Sequence, residues 1–202
     1  MRANSPEAAV SAAAVPKIAG DTPATTAAFT LIELIVVIAV IIILTGLVLS
    51  TVGYVQKKGA RSRAETEIAA MSAACESYKA DNGIYPRNAD TDGLNAQTSG
   101  NPNSSQYQNA SLYLYNALFG ATNGSRTPAT GAKSYFAFKP NMLSPTDQTQ
   151  NVQFIKDPFG NSYGYSTANQ ANQAQGYNPT FDIWSTAGLT SGTDSTQWIK
   201  NW

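Results

Sequence analysis

Glu33 is the only charged side chain between Leu31 and Val52, a run of 22 residues otherwise made of Leu, Ile, Val, Ala, Thr, Gly and Ser. An ionised carboxylate costs roughly 2.5 to 3.5 kcal/mol at the centre of a membrane helix and less toward the interface. Glu33 therefore calls for a cation. A cut between Ala28 and Phe29 would make Glu33 the fifth residue of the trimmed chain, one helical turn from a new α-ammonium group. The positive pole of the helix N-terminus also favours a carboxylate there. One helix cannot satisfy both charges in lipid, but packed helices can pair each Glu33 with the next subunit's amine, which makes the carboxylate an assembly device. The alternative is a hydrated glutamate at headgroup level with no part in assembly, and position alone leaves both open.

Other chemistry is sparse. The chain has no histidine, which excludes a serine or cysteine triad of the usual kind and every His-ligated metal site. No Gly-rich phosphate cradle occurs. An enzyme would rest on carboxylates alone, and among Asp157, Asp182 and Asp194 the first two occupy turn and strand positions suited to binding backbone. An enzyme is not expected. The single cysteine, Cys75, can form no intrachain disulfide. It shares a helical spacing with Ala64, Ile68, Met71 and Tyr78, the setting of a buried, inert thiol. Thirteen basic residues balance thirteen acidic ones, so no global field recruits nucleic acid. The one basic cluster, Lys57, Lys58, Arg61 and Arg63, follows the apolar run directly. The positive-inside rule taken alone would keep that side in the cytoplasm.

These groups must be positioned by a few elements. The apolar run exceeds the length required of a membrane-spanning helix. A secretory signal peptide is the competing reading, but its apolar region is about 7 to 15 residues long and precedes its small-residue cleavage site. Here Thr26, Ala27 and Ala28 come before the run. Residues 1–28, rich in Ala, Thr and Pro, show no apolar periodicity and read as an unfolded, removable leader. No proline interrupts the chain between Thr30 and Pro86, so the helix continues past Gly53 as an amphipathic segment until Asn82-Gly83 stops it. Gly46 and Gly53 each cost about 1 kcal/mol of helix stability; they serve either local melting of the helix or a lipid-facing or close-packed position. Asp90 to Ala110 reads as a polar surface loop, Ser111 to Phe119 as a short helix closed by Gly120, and Thr122 to Gly131 as a polar turn. Ser134–Phe138, Phe154–Ile155, Ser162–Ser166 and Thr180–Ser185 are strand candidates. Trp198 and Trp202 would anchor the tail by burying aromatic area. The expected fold class is α+β: a long N-terminal helix, part membrane and part amphipathic, packed on a small antiparallel sheet.

Phe29-Thr-Leu-Ile-Glu-Leu34 followed by the aliphatic run resembles the N-terminal methylation motif of type IV pilins and type II secretion pseudopilins. Glu76-Ser-Tyr-Lys-Ala-Asp-Asn-Gly-Ile-Tyr-Pro86, Asp157-Pro-Phe-Gly-Asn-Ser-Tyr163 and Phe181-Asp-Ile-Trp-Ser-Thr-Ala-Gly188 resemble, in order and spacing, segments of the major pseudopilin, the G subunit. Together they cover residues 29–88 and 155–202. The resemblance implies a pilin-like fold with three parts: a leader over 1–28, a membrane and filament-core helix over 29–53, and a periplasmic globular domain over 54–202. A prepilin peptidase would cut after Ala28 and methylate Phe29, leaving Glu33 to pair with a neighbour's amine. The chain departs from the family in having Ala28 where Gly is usual, and only Arg2 and Lys17 as basic residues of the leader.

By this resemblance the subunit waits in the inner membrane, single-pass, with its C-terminal domain in the periplasm. It polymerises with itself and with other pseudopilins on an inner-membrane secretion assembly platform, in contact with membrane lipid, to drive export across the outer membrane. The family's G subunit binds Ca²⁺ in its final loop. The corresponding segment here, Gly188 to Trp198, keeps Asp194 as one carboxylate and has Leu189 or Thr190 at the other acidic position. Two alternatives stand beside this reading. A type IV pilin shares the N-terminal third but usually carries a C-terminal disulfide-bounded region. A monomeric membrane-tethered binding module would instead use Tyr107 to Tyr115 and the Asn-rich loop to hold a ligand such as a glycan.

Overall fold

In a computed structural model of the 202-residue chain, residues 29–202 are described; residues 1–28, expected as a removable leader and including Ala28, lie outside them. The chain divides into two compact units, one reaching Leu47 and the other running from Val48 to Trp202.

Helix α1 (Leu31–Asn82) passes through both units. It is long because nothing in it stops a helix. It ends where expected: Gly83 takes φ +76° and its N–H bonds to Lys79 O at 2.8 Å, the left-handed C-terminal stop that a Cβ would strain. α1 holds a stretch long and apolar enough to cross a membrane, and none of it is buried among the described residues. A Cβ at Gly46 or Gly53 would meet nothing within 4 Å, so neither glycine is demanded by packing among the described residues.

In the second unit the amphipathic part of α1 buries Ala64, Ile68, Met71, Ala74 and Cys75. The stripe shares one core with Leu114, Leu118, Ile155, Tyr163, Tyr165, Phe181, Ile183 and Ile199. Cys75 is fully buried, and burial pushes its thiol pKa up, as an inert thiol requires. Polar ties flank the stripe. Tyr163 donates its hydroxyl to Glu67 at 2.8 Å, and Arg61 donates to Gln197 O at 3.0 Å.

Residues 90–110, expected as a surface loop, are instead structured. Helix α2 (Ala89–Gly93) is started by a capping box in which Asn88 Oδ1 accepts Thr91 N–H and Thr91 Oγ1 accepts Asn88 N–H, both at 3.0 Å. Helix α3 (Ser105–Phe119) begins six residues before the expected Ser111, with Ser104 as N-cap, and closes at Gly120 in the left-handed region. The polar residues that suggest a loop are caps and turn formers: Asn95 and Asn101 accept N–H groups two residues ahead. Between them Thr91, Leu94, Ala96, Tyr107 and Ala110 are buried. Leu94, Ala96, Tyr107 and Ala110 form a second core with Trp184 and Trp198.

A 3₁₀ turn (Pro140–Met142) leads into β1 (Leu143–Ser144), which pairs antiparallel with β2 (Phe154–Ile155). The buried Ser111 of α3 accepts the Ile155 N–H at 3.0 Å. Strands β3 (Gly164–Ser166), β4 (Asp182–Ser185) and β5 (Ile199–Lys200) form an antiparallel sheet in that order, with helix α4 (Ala168–Ala171) following β3. The expected strand at Ser134–Phe138 is not formed. The N–H groups of Tyr135 and Phe136 both bond to Leu118 O, at 2.7 and 3.1 Å, so this aromatic segment docks on the end of α3 rather than on a strand. The result is an α+β fold with a long N-terminal helix and small antiparallel sheets.

Candidate assembly and ion-binding sites

Glu33 lies in the first turn of α1. Its Oε2 accepts the Thr30 N–H at 2.9 Å and the Thr30 hydroxyl at 2.8 Å, while its own N–H donates to Thr30 Oγ1 at 3.3 Å. This is a reciprocal capping box, and the first helical bond, Leu34 N–H to Thr30 O at 3.2 Å, closes beneath it. The signature Thr30-x-x-Glu33 is plain in the sequence, but attention to the charge of Glu33 passes over its role at position N3. A box of this kind survives a cut after Ala28, because the nitrogen of Thr30 stays a peptide amide. The bonds named here use Oε2, and Oε1 takes part in none of them. Phe29 is 87% exposed directly ahead of the box.

The remaining acidic candidates do not converge. Asp157 is buried in the turn between β2 and β3, where Oδ1 accepts the N–H groups of Phe159 (3.0 Å) and Asn161 (2.8 Å) and Oδ2 accepts the Ser185 hydroxyl. Burial raises its pKa against these bonds. Asp182 accepts the N–H groups of Tyr177 and Asn178, each at 2.9 Å, and burial raises its pKa too. Both perform the backbone-binding task anticipated for them.

Asp194 is exposed and accepts the Thr196 N–H at 3.0 Å, a bond that holds its carboxyl below the usual range. Among the described residues no group of three or more His, Cys, Asp or Glu side chains is gathered for a metal. Calcium takes six to eight oxygens, and Asp194, with one oxygen already engaged, is a poor start for such a cage. Of the nearby carbonyls, Leu189 O already accepts the Thr186 hydroxyl at 2.6 Å, and Gly192 O packs against Gly100. Millimolar calcium is therefore expected to leave the thermal unfolding midpoint unchanged; a rise of several degrees, lost in Asp194→Asn, would establish a calcium site in this loop.

The basic cluster splits. Arg63 pairs with Glu67 at 2.7 Å, and Arg61 lies 3.7 Å from Glu65. Lys57 and Lys58 line a groove whose other side is formed by Phe159 and Leu189. Sequence reasoning misses this groove, since its two sides lie more than a hundred residues apart in the chain. The tail is anchored by both tryptophans: Trp198 stacks on Trp184 at 6.0 Å and Trp202 on Tyr177 at 4.5 Å.

Compared with protein-family models, with curated proteins and with solved structures, the chain shows no match.

Proposed function

We propose that this chain is a structural subunit of a type II secretion pseudopilus, pilin-like in fold and not an enzyme. A prepilin peptidase trims it after Ala28. It then polymerises through its N-terminal helix with itself and with other pseudopilins on an inner-membrane assembly platform. The trimmed subunit is a single-pass protein of the inner membrane with its domain in the periplasm. Growth of the filament pushes folded substrates through the outer membrane, powered by a separate ATPase.

The observation that carries this reading is the juxtaposition at the head of α1. Phe29 is exposed, Glu33 caps the helix through one oxygen, and an apolar run follows that finds no cover among the described residues. A lateral array of identical helices would cover that run and would bring an amine to each Glu33. The continuation of α1 into the core of an α+β domain supports the same reading, because it ties that domain covalently to a helical filament core. Against a type IV pilin stands the single buried cysteine.

Processing is the most direct test. Mass spectrometry of the protein from its native membrane is expected to find a chain beginning at N-methylated Phe29. A functional chain that retains residues 1–28 would overturn the assignment.

A further inference from the structure

The groove beside Lys57 and Lys58 holds about 640 Å³ and opens to solvent, within the size range of small-ligand sites. Its lining has two characters. Tyr54, Lys57, Lys58 and Arg61 come from α1, and Phe159, Ala187 and Leu189 supply an apolar wall. Arg61 is fixed in place, its guanidinium donating to the carbonyls of Gln197 (3.0 Å) and Trp198 (3.5 Å). Lys57 and Lys58 make no ion pair among the described residues. The mouth therefore carries an excess of positive charge, next to a surface that favours hydrocarbon.

We infer that this groove binds the phosphate headgroup of an anionic phospholipid, with Lys57 and Lys58 on the phosphate and Phe159 and Leu189 against the glycerol and first methylenes. The inference rests on the reading of the apolar run as a membrane anchor. Lys57 follows Val52, the last residue of that run, by five positions, about 7.5 Å of helix rise. The polar layer on each face of a bilayer is about 5 to 7 Å thick, so an anchored helix brings the backbone of Lys57 and Lys58 to the outer edge of the headgroups. Lysine stems reach further by lying along apolar surface, and Tyr54, largely exposed one turn earlier, is the residue type that settles at the interface. Free phosphate would satisfy the lysines and leave the apolar wall without a partner. The assignment also gives a task to a cation cluster that the positive-inside rule would place across the membrane.

The test uses the full processed chain in nanodiscs of phosphatidylcholine alone or mixed with phosphatidylglycerol, with unfolding followed by tryptophan fluorescence. Phosphatidylglycerol is expected to raise the midpoint by several degrees, and high salt to remove the rise. Lys57→Gln with Lys58→Gln is expected to abolish it while matching the parent in phosphatidylcholine. Three results would overturn the inference: equal midpoints in the two kinds of disc; a full shift in the double variant; or the same rise from inorganic phosphate in phosphatidylcholine discs, which would make this a free-anion site. Failure to enter either kind of disc would instead remove the membrane anchor itself, and the lipid site with it.

Discussion

Glu33→Ala and Glu33→Gln are both expected to insert normally into the membrane and to reduce assembled filament to about a hundredth of the parent or less, whereas Thr30→Val assembles nearly as well as the parent. The three variants separate the two roles of this carboxylate. Glutamine at the third helical position caps as glutamate does, so Glu33→Gln keeps the box seen at Thr30 and removes only the charge. Thr30→Val keeps the charge and removes the hydroxyl, which costs about 0.5 to 2 kcal/mol of local helix stability. Breaking a desolvated ion pair by removing one partner costs about 3 to 5 kcal/mol. At about 1.4 kcal/mol per tenfold change, this amounts to roughly two to three and a half orders of magnitude in the subunit addition equilibrium. Disulfide ladders from cysteines placed along the apolar run would read the yield. The reverse pattern, with Glu33→Gln assembling and Thr30→Val failing, would reduce Glu33 to a helix cap and withdraw the amine pairing.

The capping box also makes sense of an isolated subunit. A carboxylate waiting in a membrane for a neighbour's ammonium is exposed to a desolvation cost, and two bonds from Thr30 to Oε2 offset part of it before assembly. Because the box leaves Oε1 outside these bonds, pairing with an incoming subunit need not unwind the first turn. On the proposed reading, capping and assembly are successive uses of one side chain.

How much of this was legible depended on where the determining residues lie in the chain. The bounds of α1 follow from local chemistry: the absence of proline up to Pro86 and the left-handed Gly83. The end of α3 follows likewise from Gly120. The Asp157 turn can be read because Asp-Pro-Phe-Gly-Asn contains its own acceptor and its own positive-φ glycine, Gly160. Residues 90–110 misled because Asn and Ser are common to loops and helix caps, and only burial of Leu94, Ala96 and Tyr107 decides between them. Ser134–Phe138 has strand-like residues, but its backbone donors meet Leu118 O before any strand edge. The two-residue strands β1 and β5 carry no periodic pattern at all; they exist through register with partners that are themselves placed by the core. At the candidate site, Glu33 stood out by charge, while the lipid groove required Leu189 to be brought beside Lys57, which no local signal encodes.

Gly164→Ala is expected to destabilise the domain by about 2 to 3 kcal/mol, and the same change to cost much less when Trp184 is first replaced by leucine. Gly164 faces Trp184 across the β3–β4 pair, and a Cβ there would lie 2.3 Å from Cε2 of the indole. The ring cannot retreat. It is fully buried, stacked on Trp198 and packed edge-on to Tyr107, to whose hydroxyl its N–H donates. Overpacking of a filled core costs about 1 to 3 kcal/mol, and the upper part of that range applies where the neighbour is held on several sides. Trp184→Leu should itself cost about 3 kcal/mol, near the lower end for loss of a large buried ring, but it vacates the space a methyl group at 164 would enter. The double variant should therefore be at least 1 kcal/mol more stable than the sum of the single changes implies, a coupling that urea unfolding of all four proteins would measure. Strict additivity would show that Gly164 is not chosen by the indole, and that the second core does not lock β3 to β4 through this contact.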